Sequence, residues 1–202
     1  VAAPPKSGST WVTSVLAKLL GARGTRFCYA WSSNEHDFYP PALLANAGTR
    51  SIAQMHVKAT PHNIQLIADF GIRTVLLTRN VFDTVVSLAR DLEKKRQVET
   101  RSAGLVGYSF AWLDGCGADW GLDRWIDYAI DFYLPWYVNF LSSWSCYRQS
   151  VRAIELRYET LYVDPDRKFA ELARKLGGGR VGVKVDLKRD AIQSAAISST
   201  HS

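Results

Sequence analysis

The sequence is poor in the residues that build metal clusters, disulfide frameworks and membrane spans. Its three cysteines, Cys28, Cys116 and Cys146, stand far apart. An odd count at such spacings gives neither a zinc site nor a closed disulfide set, and reduced thiols in a cytoplasmic protein are the expectation. No run of eighteen apolar residues occurs. The nearest approach, Ile126 to Trp144, is broken by Asp131 and Pro135 and reads as a core helix kinked at the proline. The single methionine is Met55, so part of the first strand is expected to precede Val1, with room there for a signal or anchor. Lys and Arg total 25 against 19 acidic residues, a formal charge of +6, which suits an anionic ligand. The basic residues form no stripe, however. The one dense run, Glu93-Lys94-Lys95-Arg96, is mixed in sign and reads as a solvated helix end, so nucleic acid is not an expected partner. Internal repeats are missing too.

What is present is a 202-residue chain with 47% hydrophobic content, sufficient for one core and one domain spanning 1–202. Strand-like segments occur at Val1-Ala3, Arg26-Ala30, Ser51-Met55, Arg73-Thr78 and Arg152-Arg157. Helical spacing of apolar residues lies between several of them, at Thr10-Leu20, Pro61-Phe70 and Val81-Leu92. Strands alternating with helices predict an α/β fold with a central parallel sheet of about five strands, flanked by helices in three layers. Thr60-Pro61 and Asp164-Pro165 each place a capping residue before a proline and mark helix starts. The glycines at 177–179 end the last helix. The stretch from Val98 to Gly121 has no clear period and reads as an insertion or lid.

Two segments carry chemistry. Pro5-Lys6-Ser7-Gly8-Ser9-Thr10-Trp11 follows the first strand and opens a helix. A glycine between small hydroxyl residues lets successive backbone N–H groups face one anion, the helix adds its positive end, and Lys6 adds a mobile charge. The order differs from the common NTP-binding loop, in which lysine follows the last glycine and a hydroxyl residue follows the lysine to hold magnesium. No metal is implied. In the second segment, Arg79-Asn80 ends the strand Arg73-Thr78, and Asn80 is placed to cap the next helix. Ser87 lies two turns into that helix on the cap's face, so Arg79 and Ser87 can converge on a second phosphate.

Together these segments resemble the 5′-phosphosulfate loop and the 3′-phosphate motif of the sulfotransferases that use 3′-phosphoadenosine 5′-phosphosulfate (PAPS). Arg157-Tyr158-Glu159-Thr160-Leu161, with Asp164-Pro165, resembles that family's Tyr-Glu-Asp-Leu segment. The resemblance reaches from the first residues to about Leu176. It implies a P-loop-NTPase-like fold and a sulfuryl transfer from PAPS, without metal, to a hydroxyl or amine of a small-molecule or glycan acceptor, leaving adenosine 3′,5′-bisphosphate. Lys6, Ser7, Gly8, Ser9 and Thr10 would hold the 5′-phosphosulfate, Arg79 and Ser87 the 3′-phosphate, and Trp11 and Tyr158 the adenine.

Gln54-Met55-His56-Val57-Lys58 resembles the family's Lys-Thr-His-Leu-Pro segment, which makes His56 the expected general base. Glu35 is the runner-up base, because glycan-modifying relatives use a glutamate. The chain departs from the pattern twice: Gln54 stands where the family has lysine, and no Arg-Lys-Gly segment closes over the 3′-phosphate near the C-terminus. A nucleotide kinase with an atypical loop and a non-catalytic binder of bisphosphorylated nucleotides are the alternative readings.

Overall fold

The computed structural model describes residues 1–29, 37–101 and 119–177. The loop at the head of the chain leads into α1 (Ser9–Leu20), followed by β1 (Arg23–Thr25) and α2 (Pro40–Ala45). Next come β2 (Ser51–Ala53), α3 (Pro61–Asp69), β3 (Val75–Thr78) and the long α4 (Val81–Arg101). After α5 (Leu122–Tyr128), a π-helical turn (Ala129–Tyr133) runs straight into α6 (Leu134–Tyr147). The described residues end with β4 (Ile154–Arg157), α7 (Tyr158–Val163) and α8 (Pro165–Lys175). No helix among the described residues is long and apolar enough to cross a membrane.

All strand pairing is parallel, in two two-stranded sheets: β1 with β2 in the register Arg23 to Ser51, and β3 with β4 in the register Val75 to Ile154. The expected sheet of about five strands is thus not formed as one continuous ladder. Val1 to Ala3 lies between the two pairs and hydrogen-bonds to both. Ala2 N donates to Val75 O at 2.8 Å and Ala2 O accepts from Leu77 N at 2.9 Å, while Ala3 N donates to Met55 O at 3.1 Å. Only Ala2 forms bridges, one to Met55 and one to Leu76, because Pro4 and Pro5 follow at once and prolines have no N–H to continue a ladder.

Side chains of successive strand residues point to opposite faces, and the cores follow that period. Ala3, Ile52, Val75 and Leu77 pack with α1, α7 and α8 through Val12, Leu16, Leu161 and Phe169. Ala2, Ala53, Met55 and Leu76 pack the other way, against α2, α3 and α6 through Leu43, Ile67, Phe140 and Trp144. Helices therefore cover both faces, and each fully buried Leu, Val or Phe among these contributes roughly 1.5–3 kcal/mol. A third cluster joins Leu88, Ala89 and Leu92 of α4 to Trp125 and Tyr128 of α5.

Several expected boundaries move. The second strand is β1 at Arg23–Thr25, not Arg26-Ala30, of which Ala30 lies outside the described residues. Gly21, at φ 56°, ends α1 in the left-handed conformation, and Ala22 N reaches back to Ala17 O. That tight cap delivers Arg23 directly to Arg50 O at 2.9 Å, so pairing begins before the aromatic stretch that looked strand-like. α4 continues nine residues past Leu92 to Arg101, into what read as the insertion. The apolar period stops where the helix leaves the core, but Glu, Lys, Arg and Gln sustain helix without it. The remaining part of that expected insertion, residues 102–118, lies outside the described residues. The proline kink takes the form of the π turn: Pro135 cannot donate to the carbonyl four residues back, and the wider turn just before it absorbs the misfit.

The caps at Thr60 and Asp164 form as expected, accepting from Asn63 N and Arg167 N. Asn63 has a larger part. Fully buried, it accepts from Phe38 N at 3.1 Å and donates to Asp37 Oδ1 at 2.8 Å and Lys58 O at 3.0 Å, which pins the chain after β2 to the segment entering α2. Replacing Asn63 with Ala strands a buried N–H and a C=O and is expected to cost at least ~2 kcal/mol, read as a lower urea midpoint at unchanged slope.

Candidate functional site

The loop between Ala3 and α1 takes its shape from two residues in the left-handed region, Lys6 at φ 62° and Gly8 at φ 81°. Gly8 is the N-cap of α1, no side chain caps the helix, and its first turn has no acidic residue. The first-turn N–H groups thus lack side-chain acceptors, which is the arrangement that attracts an anion. Glycine is needed at position 8 for a second reason. A Cβ there would lie 2.3 Å from Cε2 of Tyr158, so the tyrosine ring rests on the glycine backbone.

Arg79 also lies against that ring. Its guanidinium carbon lies 4.6 Å from the Tyr158 centroid, and its Nη1 donates to Lys6 O at 3.0 Å. The Arg79 carbonyl accepts from Tyr137 Oη at 2.6 Å. Asn80 caps α4 as expected, its Oδ1 accepting from Phe82 N at 2.9 Å, while its own N–H donates to Glu159 Oε1 at 2.6 Å. Two segments 73 residues apart and a third from α7 therefore meet at one loop. Burial, with the Tyr162 hydroxyl 2.8 Å away, pushes the Tyr158 phenol up to about 12, so it stays protonated at neutral pH. Burial also raises the phenol of Tyr137 above its usual range.

Polar groups at this loop are left over. Ser7 Oγ, Trp11 Nε1 and Arg79 Nε are buried without a hydrogen-bond partner among the described residues. Ser7 is fully buried. Leaving such a group unsatisfied costs ~1–3 kcal/mol, and orphaned donors gathered at one loop are what a ligand with acceptor oxygens would relieve.

Lys6 is engaged elsewhere. Its ammonium lies 3.1 Å from Asp91 Oδ1 on α4, whose Oδ2 is 3.1 Å from Lys95 Nζ. Burial opposes ionisation of Asp91, but Lys6 and Lys95 outweigh it and hold the carboxyl below its usual range. Ser87 is half-buried one turn before Asp91 on α4, and Pro5 lines a small pocket together with Thr84, Val85 and Leu88 of that helix.

The end of β2 reaches the loop from the opposite side. Thr10 Oγ1 donates to Gln54 Oε1 at 3.0 Å, and His56 Nδ1 lies 2.7 Å from Ala3 O. A carbonyl only accepts, so Nδ1 bears a proton in this contact. Gln54, a departure from the motif, is in contact with the loop all the same.

The structure thus brings Lys6, Ser7, Gly8, Ser9, Thr10, Arg79 and Tyr158 together, with His56 and Gln54 alongside. Trp11 is on the same helix, but its ring is buried, edge-on to Phe169 at 5.2 Å. The exposed aromatic of the group is Tyr162, 60% accessible and 5.1 Å from Tyr158, which sequence reasoning passed over although it stands four residues after Tyr158. Glu35 lies outside the described residues, as does the C-terminal segment where the missing clamp would fall. A cavity of about 380 Å³ lies away from all of this, between strand starts and helix ends such as Leu20, Phe70 and Leu176. It shares no residue with the loop, and although Asn46, Arg50 and Arg73 are among its lining residues, none of the orphaned buried donors belongs to it, so the loop is the better candidate despite the cavity's size.

Two outcomes are expected. Gly8→Ala forces an alanine into the left-handed region, at roughly 1–2 kcal/mol, and pushes Tyr158 off the loop, so stability measured in urea falls by more than that strain alone. Asp91, with its carboxyl held low in the folded state, stabilises the fold above the unfolded-state value near ~3.9; this is lost as pH falls through the lower folded-state value. Asp91→Asn should flatten that acid limb of the stability–pH profile while leaving the neutral limb's slope unchanged. Neither a family model nor a curated protein sequence matches this chain.

Proposed function

We propose that this protein is a PAPS-dependent sulfotransferase, on a P-loop-like fold, that transfers a sulfuryl group to a hydroxyl or amine of a small-molecule or glycan acceptor. The observation that carries the reading is the set of orphaned donors, Ser7 Oγ and Arg79 Nε, on a loop whose helix start is uncapped. The two bridges of Ala2 support reading the paired strands as one parallel sheet, in the order β1, β2, Val1–Ala3, β3, β4. The loop would then sit at the carboxyl end of the central strand, where ligands of open α/β sheets bind.

In this reading the N–H groups of Ser9 and Thr10, with Ser7 Oγ and Lys6, take the 5′-phosphosulfate, and Arg79 with Ser87 takes the 3′-phosphate. Tyr158 and the exposed Tyr162 offer aromatic surface for the adenine, with Trp11 supporting them from the core. His56 Nε2 accepts the acceptor's proton as its oxygen or nitrogen attacks sulfur. The bond from sulfur to the bridging oxygen breaks in line, and charge grows on that oxygen. Lys6 and the helix start are suited to stabilise it, where one well-aimed donor is typically worth ~3 kcal/mol. The nucleotide leaves as adenosine 3′,5′-bisphosphate. No metal has a role in these steps.

Thermal-shift titration with adenosine 3′,5′-bisphosphate, with ATP and Mg-ATP in parallel, tests the reading. At 100 times the dissociation constant the expected gain is ~2.7 kcal/mol, a rise of roughly 5–10 °C for a domain of this size. A shift with Mg-ATP alone would replace the reading with a kinase. Tight bisphosphate binding without transfer of labelled sulfate to any of a panel of phenols, alcohols, amines and glycans would replace it with a non-catalytic binder. His56→Ala should preserve the bisphosphate shift and lower turnover by ~10²–10⁴-fold, whereas Arg79→Ala should abolish the shift.

A further inference from the structure

Lys6 is held at both ends. Its carbonyl accepts from Arg79 Nη1 at 3.0 Å, and its ammonium lies 3.1 Å from Asp91 Oδ1. Its backbone is one of only two non-glycine positions at positive φ among the described residues, so the loop is set in a shape that unconstrained lysine disfavours. The carboxylate of Asp91 is shared: its other oxygen lies 3.1 Å from Lys95 Nζ, one helical turn further along α4. The side chains of Lys6 and Asp91 are 32% and 27% accessible, against 54% for Lys95. The inner pair is thus the better shielded from water, and the outer cation moderates the carboxylate's hold on it.

An anion seated at the start of α1 needs the same ammonium. We infer that Asp91 is a built-in competitor for Lys6: a positioning residue that parks the ammonium against α4 when the loop is empty, surrenders it to an anionic ligand, and reclaims it when the ligand leaves. Asp91 touches neither nucleotide nor acceptor in this scheme. It acts through Lys6, lowering affinity for donor and product and hastening product departure. The inference deepens the sulfotransferase reading by adding regulation of the same site, but requires only that the ligand at the loop be anionic.

The arrangement makes opposite predictions for two neighbours on one helix. Asp91→Asn removes the competitor and should tighten binding of adenosine 3′,5′-bisphosphate by roughly two- to fivefold, the scale of a partly exposed ion pair. Lys95→Ala strengthens Asp91's hold on Lys6 and should weaken binding by a few-fold, although Lys95 does not reach the loop. Asp91→Glu should stay close to the parent. A merely structural role for Asp91 would predict weaker binding in the asparagine variant, following any loss of stability. Titration calorimetry in low salt, with inorganic pyrophosphate as a second anion, gives the affinities. Labelling of Lys6 by a succinimidyl ester, read by peptide mass spectrometry without any anion, should be faster in the Asp91→Asn protein. Unchanged or weaker binding of both anions by that variant overturns the inference, as does an absence of binding of either anion to both proteins. If pyrophosphate binds and tightens while the bisphosphate does not bind, the competition by Asp91 stands and the sulfotransferase reading falls.

Discussion

Arg79 ties together parts of the chain that are remote in sequence. Its guanidinium bonds the backbone of Lys6 and lies over the ring of Tyr158, and its carbonyl takes the hydroxyl of Tyr137. The first contact holds the loop, the second presses the tyrosine onto Gly8, and the third anchors the start of α4 to α6. A lysine could supply the charge at this position but not the planar fork that bonds and stacks at once. With its Nε unsatisfied, Arg79 is also the point at which the protein's own packing leaves a donor for something else.

The loop's environment explains why its cation needs a partner inside the protein. Lys6 sits beside an uncapped helix start and close to a guanidinium, a concentration of positive potential that an empty site must tolerate. Asp91 offsets part of it, and Lys95 keeps that offset incomplete. The result is a lysine beside a helix start that is neither without a partner nor held by one that is wholly its own. In the proposed reaction a highly charged product would have to be released, and its binding and release would both depend on a pair of modest strength.

Much of the site was legible because its parts are local. A glycine among hydroxyl residues before a helix, an asparagine at a strand-to-helix junction and prolines behind capping residues each act within a few positions, and Gly8, Asn80, Thr60 and Asp164 behave as their types require. The contributions of Asp91, Asn63 and Tyr162 were not legible. Asp91 is an ordinary charge on a polar helix face, distinguished only by what stands 85 residues earlier in the chain. Asn63 is one polar residue in the first turn of α3, distinguished by being fully buried.

Alternation of apolar strands and helices determined a parallel α/β arrangement with both faces covered, because burial of alternate side chains is a local property of the pattern. The break in the ladder at Ala2, the early start of β1 and the length of α4 were decided by the folded chain, since each depends on where a neighbour's hydrogen bonds begin or where a helix leaves the core. The residue types by themselves raised the expectation of an anion at Lys6 to Thr10. Only the tertiary structure decided that Lys6 is paired with a carboxylate, because that pairing joins two segments that the sequence keeps far apart.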